Sequence, residues 1–181
     1  MRVIESDLGG VLVFEPIVHG DQRGFFVESC REAEFRKAVG SNRTFVQDNH
    51  SRSSRHVLRG LHYQVRRPQG KLLPVVAGEI FDVVVDLRRA SPTFGKWMGT
   101  TLSAENRRML WIPEGFAHGF LVTSDAAETV YKATDDYAPE HERSLLWNDP
   151  AVGIASPLTA PPALSAKDTA GKRLADCDVF D

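Results

Sequence analysis

Short apolar runs alternate with turn signals along most of this chain. Val11-Leu12-Val13-Phe14 reads as a first strand closed by Pro16. Asp21-Gln22-Arg23-Gly24 carries turn chemistry, and Phe25-Phe26-Val27-Glu28 follows it as a second strand. Further strand patterns fall near Phe45–Asn49, Val57–Tyr63, Leu72–Ala77, Ile80–Leu87, Trp97–Leu102, Met109–Ile112, Phe120–Val122 and Thr129–Ala133. Pro68-Gln69-Gly70, Ala77-Gly78, Ser91-Pro92, Pro113-Glu114-Gly115 and Ser124-Asp125 punctuate them. Helical spacing occurs over Arg31 to Val39, where Ala33, Phe35, Ala38 and Val39 sit among charges and Gly40 supplies the stop. Beyond about residue 139 the pattern turns irregular and proline-rich, and Ser165 is placed to cap a short helix through Asp168. Many short strands with almost no helix between them predict a mainly β, antiparallel sandwich or barrel spanning residues 1–181 as one domain.

Two strands break the plain pattern. Val57-Leu58-Arg59-Gly60-Leu61-His62-Tyr63-Gln64 places a cation, a glycine and an imidazole among strand formers. Strict alternation would put Arg59 and His62 on opposite faces, so Gly60 is expected to form a bulge that brings both to one side. In Ile80–Leu87, Phe81, Val83, Val85 and Leu87 make an apolar face, while Ile80, Asp82, Val84 and Asp86 make a mixed one. The mixed face reads either as solvated or as the wall of a polar pocket inside the barrel.

Composition narrows the function classes. The 181 residues are 42% hydrophobic, enough for a real core, and the net charge of −2 offers no global field for nucleic acid or an anionic membrane surface. No apolar run approaches the roughly 20 residues of a membrane span, and the start has no secretory leader pattern. Cys30 and Cys177 lie far apart without CxxC spacing, so two free thiols in a reducing cytoplasm are expected.

Six histidines are present. His19 and His141 sit in polar turns, and His50 and His56 flank a Ser/Arg-rich loop, all of which suits surface or structural roles. His62 and His118 lie in aromatic and aliphatic surroundings, as core residues or as site residues. Ile112 to His118 resembles half of a cupin metal motif, but the other half is reduced to His62-Tyr63-Gln64, with Tyr63 facing away, so no metal is expected. No nucleophile elbow, phosphate loop or dinucleotide fingerprint occurs. What remains is acid–base chemistry from His62 and Tyr131 beside the cations Lys71, Arg59 and Arg23, each of which also has an ordinary packing or solvated reading.

Several motifs, in order, resemble the dTDP-4-dehydrorhamnose 3,5-epimerase family: Asp21-Gln22-Arg23-Gly24-Phe25-Phe26, Phe45-Val46-Gln47-Asp48-Asn49, Val57 to Gln64, Gln69-Gly70-Lys71 and Gly78 to Val83. Ser91 to Gly95, Leu110 to Pro113, Gly115 to Phe120, Val130-Tyr131-Lys132 and Trp147 to Pro150 extend the likeness from about residue 3 to about residue 170. The resemblance implies a cupin-like jelly roll without cofactor or metal, assembled as a homodimer in which the Arg23–Glu28 segment reaches the partner's site. Its substrate would be dTDP-4-dehydro-6-deoxy-D-glucose. By the same resemblance, His62 is the base with Asp168 as its carboxylate partner, Tyr131 is the acid, and Lys71 stabilises the enolate oxygen. Arg23 and Arg59 match diphosphate contacts, and Tyr137 the aromatic that stacks on thymine. Phe25, Glu28, Gln47, Asn49, Asp82, His118, Glu142 and Lys167 fall at further substrate-contact positions, and Asp82 and Asp86 would form the pocket wall. The chain departs from the family pattern at Ile154-Ala155-Ser156-Pro157, where many members carry Ile-Asp-Trp-Pro.

A monofunctional C3- or C5-epimerase would share this residue set. A catalytically silent sugar-nucleotide binder would not need His62, Asp168, Tyr131 and Lys71 together. A metal-dependent cupin oxygenase would require bound metal.

Overall fold

A computed structural model describes residues 1–181. Its first sheet holds six strands: β1 (Arg2–Glu5), β2 (Leu12–Glu15), β5 (Gln47–Ser54), β7 (Lys71–Ala77), β10 (Met109–Ile112) and β12 (Ala126–Ala133). They lie in the order β1-β2-β10-β7-β12-β5. The second sheet holds β6 (Leu58–Gln64), β8 (Glu79–Asp86), β9 (Trp97–Ser103), β11 (Phe116–Val122) and β13 (Glu142–Ser144). Its order is β13-β6-β11-β8-β9. All pairings within both sheets are antiparallel. A separate hairpin joins β3 (Val18–Asp21) and β4 (Gly24–Val27) through the Asp21–Gly24 turn. The result is an antiparallel sandwich, as the strand pattern predicts, and it suits the cupin-like jelly roll that the resemblance implies, with α-helix restricted to α1 (Glu32–Val39) and a four-residue α2 (Ala166–Thr169).

The interior between the sheets changes character along each strand. On β7 the inward series runs Lys71, Leu73, Val75; on β11 it runs His118, Phe120, Val122; on β12 it runs Tyr131, Thr129, Ala127. The apolar ends join Val11, Val13, Ile80, Val84, Leu102 and Leu110 in one buried cluster. The polar ends are left to line a cleft. One end of the sandwich therefore supplies burial and the other supplies chemistry.

The outer faces are covered too. Against the first sheet, α1 inserts Phe35 among Phe14, Phe45 and Trp111, with ring centroids 4.9–6.1 Å apart. Gly40 ends that helix in a left-handed conformation, as its place in the sequence predicts. Against the second sheet, Leu61, Tyr63, Val83, Val85 and Leu87 pack beneath the irregular segment after Ser144. Tyr63 points into this cluster and donates its hydroxyl to the Asp178 carbonyl at 2.7 Å, away from the cleft.

Gly60 does what the sequence requires of it. Between His118 and Phe120 of β11, the partners on β6 step from His62 to Arg59, so β6 carries one extra residue there. Arg59 and His62 consequently line the same cleft. Gly60 has φ +128°, and a Cβ there would sit 2.5 Å from the Cα of Gly119. Gly60→Ala is expected to lose about 2 kcal/mol or more of stability, from positive φ and backbone clash together. Gly9→Ala, where nothing lies within 4 Å, should stay within about 0.5 kcal/mol of wild type in the same thermal melt.

Candidate active site

A cleft of about 390 Å³ opens between the two sheets at their polar end. β6 contributes Arg59 and His62, β11 contributes His118, and β13 contributes Glu142. The facing sheet contributes Gln47, Asn49 and Ser51 from β5, Lys71 from β7 and Tyr131 from β12. Tyr137 stands at the rim, half exposed, and Ser165, Lys167 and Asp168 enter from α2.

Asp168 is fixed by local sequence. Ser165 caps α2, accepting the Asp168 N–H on its hydroxyl, while Asp168 reaches back to the Ser165 N–H at 3.0 Å. The Ser165 hydroxyl donates to the same carboxylate oxygen at 2.6 Å, and the Gly60 N–H donates to the other at 3.1 Å. His62 Nε2 lies 2.7 Å from that second oxygen, in ion-pair contact but off the line of a good hydrogen bond. Burial would raise the Asp168 pKa, but the bonds from Ser165 and Gly60 and the neighbouring imidazole hold it below the usual carboxylate range. The carboxylate is therefore charged and 2% exposed.

The remaining titratable groups are tuned by burial first. Burial lowers the His62 pKa, helped by Lys167 and Lys71, against the upward pull of Asp168 and Glu142. A carboxylate partner alone would raise imidazole basicity, which is what the sequence suggests; desolvation and two ammonium groups reverse the net direction. The net shift favours the neutral imidazole. Burial brings Lys71 down to about 8, with Glu142 and Asp82 opposing. Burial raises Tyr131, against Arg59, so its phenol keeps its proton. Glu142 accepts both the Lys167 ammonium, at 2.7 and 2.8 Å, and the Tyr137 hydroxyl, at 2.8 Å.

These directions set a pH window. In the roles that the resemblance implies, His62 as a base would work deprotonated, so activity should rise with pH through a value below the ordinary imidazole range. Lys71 as a cation would work protonated, so activity should fall as pH rises through about 8. The kcat/KM profile should therefore plateau between these limits and decline near pH 8, well before the ordinary lysine range around 10.4.

Comparison with known proteins decides the family. The sequence profile of dTDP-4-dehydrorhamnose 3,5-epimerase matches residues 5–176. A dTDP-4-dehydrorhamnose 3,5-epimerase from Pseudomonas aeruginosa is 58% identical over 180 residues, covering 99% of both chains. The chain belongs to the dTDP-4-dehydrorhamnose 3,5-epimerase family. Among solved structures, a dTDP-6-deoxy-D-glucose-3,5-epimerase from Legionella pneumophila, in complex with dTDP-4-keto-L-rhamnose, superposes with a TM-score of 0.95 at 50% identity. That match covers 98% of this chain and 94% of the other. A 3′-monoepimerase from Streptomyces bikiniensis, in complex with dTDP-quinovose, gives a TM-score of 0.89 at 37% identity, covering 94% and 86% of the two chains. The family is one of isomerases, and this chain is an isomerase by membership.

Within the epimerase, the cleft gathers His62, Tyr131, Asp168, Lys71, Gln47, Asn49, Arg59, His118, Tyr137, Glu142 and Lys167. Three residues read as substrate contacts lie elsewhere in the same chain. Arg23 pairs with Asp21 in the β3–β4 turn, Glu28 pairs with Arg31, and Phe25 is 60% exposed under the Arg107 guanidinium. Asp82 does not reach the cleft surface: its side chain is fully buried behind His118, holding Nε2 at 2.9 Å. The expectation that Asp86 forms pocket wall is corrected. Arg88, Ser91 and Thr93 surround its carboxylate at 2.6–2.9 Å, bringing its pKa to about 2 against the upward push of burial, so it clasps the β8–β9 loop.

Sequence reading also missed residues. Ser51, Gln69 and Ser165 line the cleft, and Ser53 accepts the Arg59 Nε–H at 2.9 Å. The signal lay in Gln47, Asn49, Ser51 and Ser53, alternate positions that are all polar and uncharged. The strand was expected only to Asn49, because an apolar face marks most strands. As for metal, no three His, Cys, Asp or Glu side chains gather in a ligand set, and Glu114 is held by Arg43 at 2.8 Å.

Proposed function

We propose that the chain inverts C3 and C5 of dTDP-4-dehydro-6-deoxy-D-glucose, giving dTDP-4-dehydro-L-rhamnose. C3 and C5 flank the C4 ketone, so loss of either proton leaves an enolate. His62 takes that proton into its imidazole, with Asp168 stabilising the imidazolium that forms. The Lys71 ammonium meets the charge developing on the C4 oxygen. Tyr131 returns a proton to the same carbon from the facing side. One cycle leaves His62 protonated and Tyr131 ionised, and exchange with solvent resets both. The observation that carries this reading is the arrangement of one base and one acid on opposing sheets of a single cation-bearing cleft.

Arg59 suits the diphosphate, since a guanidinium fork matches phosphate oxygens. Tyr137 at the rim suits the thymine ring. The Legionella enzyme's bound dTDP-sugar supports the same class of ligand here. Product analysis tests the proposal: NMR of the reaction on dTDP-4-dehydro-6-deoxy-D-glucose should show both centres inverted. A product changed at C3 alone would instead support the second reading, a monoepimerase, which the likeness to the Streptomyces bikiniensis enzyme favours.

The working unit in this reading is a homodimer of one-domain chains. The β3–β4 hairpin carries Phe25 and Phe26, 60% and 65% exposed beside Ile17 at 62%, and β5 leaves one edge of its sheet unpaired. A partner's Arg23, Phe25 and Glu28 would complete the cleft. Light scattering at micromolar concentration should give the mass of two chains; a single-chain mass would refute the dimer. No helix is long and apolar enough to cross a membrane, and two free thiols suit a reducing cytoplasm.

A further inference from the structure

Gln47 and Asn49 both face the cleft from β5, yet their carboxamides are used differently. Gln47 is engaged at both ends by the protein. Its Oε1 accepts the backbone N–H of Tyr137 at 2.8 Å, and its Nε2 donates to Asn49 Oδ1 at 2.8 Å. Asn49 is engaged at one end only. Its Nδ2 is buried and has no hydrogen-bond partner.

The polarity of this relay has a fixed origin. A side-chain amide can turn over to suit its surroundings, but a backbone N–H cannot. The Tyr137 N–H demands an acceptor, so Gln47 must turn its oxygen toward it. Gln47 then offers nitrogen to Asn49, and Asn49 must answer with oxygen. Its nitrogen is left as a donor in the cleft. A buried donor without a partner is unfavourable, so the arrangement favours a ligand that brings an acceptor oxygen.

We propose that Gln47 is a positioning residue, transmitting the polarity of the Tyr137 backbone to Asn49 so that Asn49 presents a donor to an oxygen of the sugar nucleotide. This rests on the reading of the cleft as a sugar-nucleotide site. It reassigns Gln47, which the sequence suggests as a substrate contact, to a role exercised through its neighbour. It also ties the Tyr137 loop, whose hydroxyl donates to Glu142, to the cleft wall.

The test compares Gln47→Met, Asn49→Ala and the double variant. Binding of thymidine 5′-diphosphate is measured by calorimetry, and turnover of the keto-sugar is measured alongside. Each single variant should weaken binding and raise KM roughly 3- to 10-fold, the range of one neutral hydrogen bond, with a smaller change in kcat. The double variant should be no worse than Asn49→Ala, because Gln47 acts through Asn49. Multiplying effects, or a Gln47→Met variant indistinguishable from wild type, would overturn the proposal. A ligand-free readout keeps the relay separate from the functional reading. The Asn49 side-chain amide cross-peaks, recorded without ligand, should move between the wild type and Gln47→Met as the bond to Asn49 Oδ1 is lost; unchanged cross-peaks would refute the relay. A wild type that bound no thymidine nucleotide would overturn the functional reading, and with it the substrate half of this proposal.

Discussion

Replacing His62 with alanine should lower kcat by about 10²- to 10⁴-fold, the usual range for removing a general acid–base group. His62 sits at the polar end of β6, beside a carboxylate held by the Ser165 N–H, the Ser165 hydroxyl and the Gly60 N–H and almost completely buried. Burial and the two neighbouring lysines shift the imidazole toward its neutral form, the one able to accept a proton. Alanine removes the acceptor and leaves Asp168 charged without its partner. KM should change less than kcat, because Arg59 and the Tyr137 rim remain to hold the nucleotide. Steady-state kinetics with a circular dichroism check of folding would measure this. An alanine variant with wild-type turnover would show that another group removes the proton.

Tyr131→Phe should separate two events that the proposed mechanism joins. The variant keeps His62 and Lys71, so the proton next to the ketone should still leave and the enolate should still form. With no phenol on the facing sheet, the proton returns from the side it left. Net epimerisation should fall by about 10²- to 10⁴-fold. Exchange of the substrate proton with D2O, with retained configuration, should fall much less. Burial holds the Tyr131 phenol protonated in the resting enzyme, which is the state an acid needs. Loss of exchange and inversion together would place Tyr131 in proton removal rather than return.

The fold was legible because its rules are local. Apolar runs punctuated by Gly, Pro and Ser-Asp turns located most strands, and Gly40 located the end of α1. The polar β5 runs past the Asn49 end that its sequence suggests, since Arg52 to Ser54 have no apolar positions to mark a strand. The bulge at Gly60 was legible for a different reason. Arg59 and His62 in one strand demanded a common face, and only glycine tolerates the approach to Gly119. The destination of Asp86 was not legible. Its alternation with Asp82 was real, but neither carboxylate meets the cleft: Asp82 is buried behind His118, and the Arg88–Thr93 loop folds back over Asp86. Nor could sequence show the direction of the His62 shift, because burial and the nearness of Lys167 arise only when α2 packs on β6.

The measurement that bears most directly on the account is deuterium incorporation during turnover of dTDP-4-dehydro-6-deoxy-D-glucose by the wild-type enzyme in D2O, read by NMR. A base on one sheet and a solvent-exchanging acid on the other predict deuterium at both C3 and C5 of a product inverted at both carbons. Inverted product carrying protium at those positions would contradict the enolate route through His62 and Tyr131.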